Sequence, residues 1–316
     1  MMRDTMSGLV ANPVVKSAFL FAMTAANATA VASQSSRAAS FEQTGILESA
    51  KVIESSGIAV SRVHGGILWT HNDSGDDPIV YAIDLAGRDH GSFRLEGTRA
   101  VDWEDIALSR CPARVGPGDC LYIADTGDNE ERRQSVAIYV VREPNPAEFP
   151  ASGTAVANVA HVIKVRYLEG PQDVEALGVD RDGTLLLITK GGNHSSNVYW
   201  VQPSADGGTI AALASESLPI EQHQRLDRMV TAAAISPDGS LLAVRTYTEL
   251  FFFRIHTDGS RLLHQLGPPC WIGMQQIQGE SVDFLDHEWV VLTSEAVFGR
   301  PGTIAKARCE SATVPK

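Results

Sequence analysis

Three features of this 316-residue chain predict an all-β fold, a propeller of five four-stranded blades. Short apolar openings recur five times at a period of about 50 to 70 residues, too long for a helical solenoid pair and suited to one propeller blade. Strand-like runs punctuated by turn residues follow each opening. Helix-period stretches are scarce.

The openings are Ser56-Gly57-Ile58-Ala59-Val60, Glu104-Asp105-Ile106-Ala107-Leu108, Glu175-Ala176-Leu177-Gly178-Val179, Ala233-Ala234-Ile235-Ser236-Pro237 and Glu280-Ser281-Val282-Asp283-Phe284. Second strands are predicted at Ile67–Thr70, Leu121–Ala124, Leu185–Thr189, Leu241–Val244 and Trp289–Thr293. Third strands follow at Ile79–Ile83, Val136–Val141, Asn197–Val201, Leu250–Ile255 and Thr303–Ala307. Asp182-Gly183, Asp238-Gly239 and Asp258-Gly259 supply hairpin turns. Four units carry a fourth strand, as at Ser92–Leu95 and His161–Val165, whereas the fifth runs out near Cys309. The leftover segment Ile46–Ile53 is expected to complete it and close the ring, which removes an open sheet edge. Residues 33–43 read as a flexible lead and 144–156 as a surface loop, so 44–316 form the single propeller domain. Six blades, the alternative, would need an extra repeat for which 144–156 is too short.

Composition narrows the function. Hydrophobic content of 44% supports a real core. A net charge of −12 without a Lys/Arg cluster argues against nucleic-acid binding, because phosphate contacts need positive charge. The N-terminus reads as an export signal: Arg3 and Lys16 precede a short apolar run, and Ala30-Val31-Ala32 is an A-x-A site, so residues 1–32 are expected to be removed. Ala28-Thr29-Ala30 is a second cleavage site, and the apolar run is short for a membrane span. A secreted or periplasmic monomer, free of the membrane after cleavage, is the expectation. That compartment permits disulfides. Cys111 and Cys120 bracket a turn-rich loop and form the natural pair, which leaves Cys270 with Cys309, although spacing alone leaves other pairings open.

In a propeller the first strand of each blade lines the central channel. The residue two before each apolar anchor reads Ser56, Glu104, Glu175, Ala233 and Glu280, so these five are expected to ring one mouth. Three converging carboxylates repel one another unless protons or a cation neutralise them. A hard ion such as Ca²⁺ takes about six to eight oxygen ligands, which carboxylates, backbone carbonyls and water can supply; zinc would want His or Cys, which the ring lacks. The competing reading is structural, with the glutamates accepting backbone amides between blades.

The ring resembles that of the calcium-activated nucleotidases of the apyrase family, five-bladed propellers whose mouth residues surround one central Ca²⁺ in the order serine, glutamate, glutamate, serine, glutamate. The chain departs from that order at Ala233, which offers only a carbonyl. The likeness covers the blade frame and implies no nucleotide-binding segment. The segments Asp102–Ala107 and Tyr122–Asn129 also resemble uncharacterised exported bacterial propellers grouped with phytase-like or esterase-like proteins.

Polar segments after the second strands flank the same mouth: His71–Asp77, Asp125–Arg133, Lys190–His194, Arg245–Tyr247 and Thr293–Glu295. Within them Asp73, Asp125 and His71 are the candidate catalytic groups, while Lys190 and Arg245 are candidate anion-binding groups. The same residues would also serve as ordinary turn residues satisfying local backbone donors. No nucleophile elbow, P-loop or dinucleotide fingerprint occurs. Two functional readings follow. One is a metal-dependent hydrolase of a phosphorylated or other anionic small molecule. The other is a non-catalytic propeller that binds a protein or glycan partner around a structural ion or none.

Overall fold

The computed structural model describes residues 37–192, 194–204, 207–220, 226–256 and 258–309. The expected signal segment, its cleavage sites and Asn193 lie outside them. Short apolar runs, many of them buried along their whole length and separated by turn residues, produce five mainly antiparallel sheets, and no α-helix occurs among the described residues. Blade one comprises Ser55–Val60, Leu68–Asn72, Ile79–Ile83 and Asp89–Glu96. Blade two comprises Trp103–Arg110, Asp119–Asp125, Val136–Arg142 and His161–Tyr167. Blade three has Val174–Val179, Leu185–Thr189, Asn197–Val201 and Glu216–Ser217. Blade four has Val230–Ile235, Leu241–Thr246 and Glu249–Ile255, with Leu263–Gln265 and Cys270–Trp271 sharing its outer edge. Blade five has Asp283–Phe284, Val290–Thr293 and Thr303–Arg308.

The ring closes through the N-terminus, but with a different segment from the expected one. Ser40–Ile46 pairs antiparallel with Thr303–Arg308 and completes blade five. The stretch read as a flexible lead therefore contains the closing strand. Its sequence is polar and it stays half-exposed at a sheet edge, so it lacks the apolar signature of the inner strands. Leu47 and Val52, from the segment expected to be the strand, are buried instead beneath the turn into blade one. The loop expected over 144–156 is also more ordered. A 3₁₀ turn at Pro146–Glu148 leads to Ala155–Asn158, which adds a parallel strand to blade one. Ile210–Ala212 does the same for blade two and Arg37–Ala38 for blade four. These additions cover outer edges that would otherwise expose unpaired backbone groups.

Five apolar clusters hold the blades together. Trp69, Phe93, Trp103 and Ile123 fill the interface of blades one and two. Leu187, Tyr167 and Tyr199 mark that of two and three, and Val244, Leu186 and Phe253 that of three and four. Phe252, Phe284 and Leu292 join four to five, and Ile58, Val291 and Ile304 join five to one. Both expected disulfides form, Cys111–Cys120 and Cys270–Cys309. The first closes the turn inside blade two; the second ties the edge of blade four to the end of blade five.

Candidate functional site at the channel mouth

Each inner strand begins with the same irregularity. The pairing register slips by one residue between Ser55 and Gly57, Trp103 and Asp105, Val174 and Ala176, and Val230 and Ala232. In blade five the Gly279–Ser294 bridge and the Asp283–Val291 pair differ by the same slip. A β-bulge leaves one residue unpaired and re-aims its side chain. The bulged residues are Ser56, Glu104, Glu175 and Thr231, with Glu280 at the matching place in blade five. Thr231 thus replaces Ala233 in the expected ring. Ala233 lies one layer deeper, level with Ile58, Ile106, Leu177 and Val282, and its N–H donates to Asp105 Oδ2 at 3.3 Å. The ring order becomes serine, glutamate, glutamate, threonine, glutamate. The hydroxyls act as struts: Ser56 Oγ donates to Glu104 O at 2.7 Å, and Thr231 Oγ1 to Gly279 O at 3.0 Å.

The three ring glutamates are buried, but they do not meet at one point. The carboxylate oxygens of Asp73, Asp102 and Glu104 lie within 4.8 Å of one another, as do those of Glu104, Asp173 and Glu175. Glu280 belongs to neither group; Glu295, Glu175 and Asp73 are the carboxylates that act on it. Gly127 is what lets the first group form, since a Cβ there would overlap Glu104 Oε1 and the Asp102 carboxylate. Among the described residues no ion pair involves Asp73, Asp102 or Glu104. Glu175, in contrast, accepts from Lys190 Nζ at 2.6 Å, and Asp173 lies 3.9 Å from the same ammonium.

Burial and mutual repulsion make these carboxyls weak acids. Burial, with Asp102 nearby, pushes Asp73 up to about 6. Burial and Asp173 push Asp102 up to about 6. Burial and Glu175 push Asp173 up to about 7. Burial and Asp73 push Glu295 up to about 8. Glu104 and Glu280 are raised well above the carboxylate range by burial, then by Glu175 and Glu295 respectively. Burial opposes the Lys190 charge, but Glu175, Glu104 and Asp173 outweigh it and hold the ammonium above its ordinary range. A site that disfavours ionisation this strongly fits a divalent cation, whose charge would offset the repulsion. The donor set is carboxylate oxygen, which suits a hard ion.

The other sequence candidates separate. Asp73 lies with Asp102 and Glu104, and Lys190 with Glu175, at the mouth. His71, Asp125 and Arg245 are withdrawn from it. His71 is fully buried between blades one and two, edge-on to Trp103 at 5.5 Å, and burial lowers it to about 4. Its Nδ1 faces Asn72 O at 2.9 Å. Asp125 is buried under the turn into blade two, where it pairs with Arg133 Nη2 at 2.7 Å and accepts from Asp102 N at 3.2 Å. It shapes the loop that carries Asp102. Arg245 is fully buried between blades four and five, donating to Ser281 O, Thr293 O and Gln276 Oε1 at 2.7, 2.8 and 2.9 Å. Burial drops its guanidinium to about 10. His71 and Arg245 occupy matching places, opposite Gly57 and Ala232.

Sequence reasoning did not single out Asp102, Asp173 or Thr231 as site residues, and it named Glu295 only as the end of the Thr293–Glu295 segment. A signal was present for two of them. Asp102-Trp103-Glu104 and Asp173-Val174-Glu175 repeat an acid two residues before the ring glutamate, and Glu54 stands in the same place before Ser56. Below the ring Asp105 caps the channel, accepting Ile106, Leu177 and Ala233 N–H groups from three blades. Asp283 accepts Val60 N at 2.7 Å in the same way. Buried side chains of both aspartates thus brace neighbouring blades beneath the ring.

No protein-family model matches the chain. No curated protein matches it either. Similar solved structures include the PQQ-bound aldose sugar dehydrogenase of Streptomyces coelicolor, at 11% identity and a TM-score of 0.46 over 85% of this chain and 98% of that one. A proposed glucose dehydrogenase from Thermus thermophilus gives 10% identity and a TM-score of 0.46 over 85% and 99%. The β-propeller domain of Cps50 (Swd1) from Myceliophteria thermophila gives 14% and 0.40 over 76% and 66%.

Proposed function

We propose that the channel mouth is a Ca²⁺ site and that the chain is a metal-dependent hydrolase of a phosphorylated substrate. The observation that carries this reading is the convergence of Asp73, Asp102 and Glu104, none of which makes an ion pair among the described residues. Asp73, Asp102 and Glu104 would hold the ion, with Asp173 and Glu175 completing the acidic wall. A bound cation supplies Lewis-acid polarisation of a phosphoryl oxygen. Lys190 offers a second positive charge at the same mouth, suited to orienting an anion. Asp105, buried beneath the ring, ties blades two, three and four under the site. The two disulfides and the export-like N-terminal sequence support a secreted or periplasmic setting, where calcium is plentiful. No helix among the described residues is long and apolar enough to cross a membrane.

Elemental analysis and calorimetry test this. Wild-type protein is expected to bind about one calcium per chain, and Asp102→Asn/Glu104→Gln to lose it while remaining folded. Calcium-stimulated release of phosphate from a phosphoester panel, absent in that variant, would establish the reaction. Binding without turnover on any phosphoester would leave the ion structural and overturn the hydrolase reading. No uptake by wild type would overturn both.

A further inference from the structure

Next to the acidic mouth the surface turns apolar. Ile53, Met274, Ile277 and Phe298 are 46, 54, 42 and 86% exposed. They sit on three separate loops that backbone hydrogen bonds stitch together. Ala296 N donates to Ile53 O at 2.7 Å, and Glu295 N donates to Gln278 O at 2.9 Å. Val297 and Arg300 close the hairpin whose tip is Phe298. The same loops lead directly into Glu280 and Glu295, so the apolar lip and the carboxylates share one scaffold. Gln278 and Phe298 also adopt left-handed backbone conformations, with φ of 52° at each. A bulky side chain is uncommon there and is held only where the surroundings enforce it. Exposed apolar side chains gathered on joined loops beside a polar cleft mark an interaction site.

We propose, building on the cation reading above, that the substrate is a phosphorylated amphiphile, with its phosphate at the carboxylate cluster and its apolar portion on the lip of Ile53, Met274, Ile277 and Phe298. Charge complementarity selects the head: a cation-loaded acidic mouth takes an anion. Surface chemistry selects the tail: a wholly polar phosphoester would leave the lip in water, and a neutral apolar ligand would leave the mouth unmatched.

Calorimetry on the full chain with saturating calcium tests this, using n-octyl phosphate and methyl phosphate as monomeric probes. Octyl phosphate is expected to bind about tenfold more tightly, the gain from withdrawing about two methylene groups from water. Ile277→Ser/Phe298→Ser should shrink that ratio to about twofold or less, with calcium and methyl phosphate binding unchanged. Both positions are exposed, and circular dichroism of the variant checks its fold. Calcium uptake with equal binding of the two probes would overturn the lip and leave the cation site standing. A ratio that survives the double substitution would overturn the assignment to these residues. No calcium uptake would overturn the cation reading, and this proposal with it. Adsorption to phosphatidic acid vesicles without a chain-length preference among monomers would overturn it in favour of a membrane surface.

Discussion

Lys190 Nζ lies 2.6 Å from Glu175 Oε1, so the chain sets its own positive charge in contact with one carboxylate of the acidic mouth, whereas among the described residues it makes no ion pair with Asp73, Asp102 or Glu104 and acts on them only from a distance. The Glu175 side chain is 5% exposed and that of Lys190 23%. Removing one partner of a pair this buried costs up to about 3 kcal/mol after allowance for the exposed part of the lysine. Lys190→Met is therefore expected to lower the urea midpoint in EDTA. It should also strengthen calcium binding by about tenfold, because a competing cation is gone. Denaturation in EDTA and calorimetry with calcium read the two effects. Equal stability of variant and wild type in EDTA would show that the pair contributes nothing.

Thr231 and Ser56 hold the same place in blades four and one, and each hydroxyl braces the next blade. Thr231→Val keeps the shape and removes the donor, so it should cost about 1 kcal/mol in denaturant unfolding. Ala233→Thr is expected to cost more, about 2 kcal/mol, because Ala233 packs in the buried channel layer beside Asp105. The reverse order of the two penalties would restore Ala233 to the ring.

Gly127→Ala tests the mouth without touching a carboxylate. The new Cβ would overlap Glu104 Oε1, and Glu104 is held beneath the loop between Asp102 and Asp173. Glu104 must then move out of both carboxylate groups. Calcium affinity is expected to fall by about a hundredfold, whereas thermal stability in EDTA should change little or rise, since repulsion is relieved. Unaltered calcium binding would place the ion away from Glu104.

The blade frame was legible because inner strands such as Leu185–Thr189 and Leu241–Thr246 are buried along their whole length and read as continuous apolar runs. The closing strand was not, because Ser40–Ile46 lies on a half-exposed edge and carries Ser, Glu, Gln and Thr. Blade four misled for a different reason. Thr231 is followed by three alanines, so the first large apolar residue is Ile235, two places beyond the true anchor. Only the pairing slip at Thr231 reveals the register. His71 and Arg245 misled because their types suggest a surface role, and burial between blades depends on neighbours far away in the chain. The two terminal nitrogens of Arg245, for example, donate to Gln276, Ser281 and Thr293.

The mouth should give the metal-free protein a pH dependence opposite to that of a calcium-loaded one. Folding raises Asp73 and Asp102 to about 6, Asp173 to about 7 and Glu295 to about 8. The folded state therefore holds more protons than the unfolded chain above about pH 4, and its stability falls as pH rises through that window. His71 works the other way between about 6.5 and 4, because burial lowers it when folded. One histidine is outnumbered by four carboxyls, so in EDTA the melting temperature should drop by roughly 5 °C or more between pH 5 and pH 8. Calcium binds the ionised groups. Its stabilising effect should be small at pH 5 and grow steadily to pH 8. Melting curves at both pH values, with calcium and with EDTA, check this directly. A melting temperature in EDTA that rises from pH 5 to pH 8 would mean that the carboxyls are already neutralised within the fold, and the case for a cation at the mouth would fail with it.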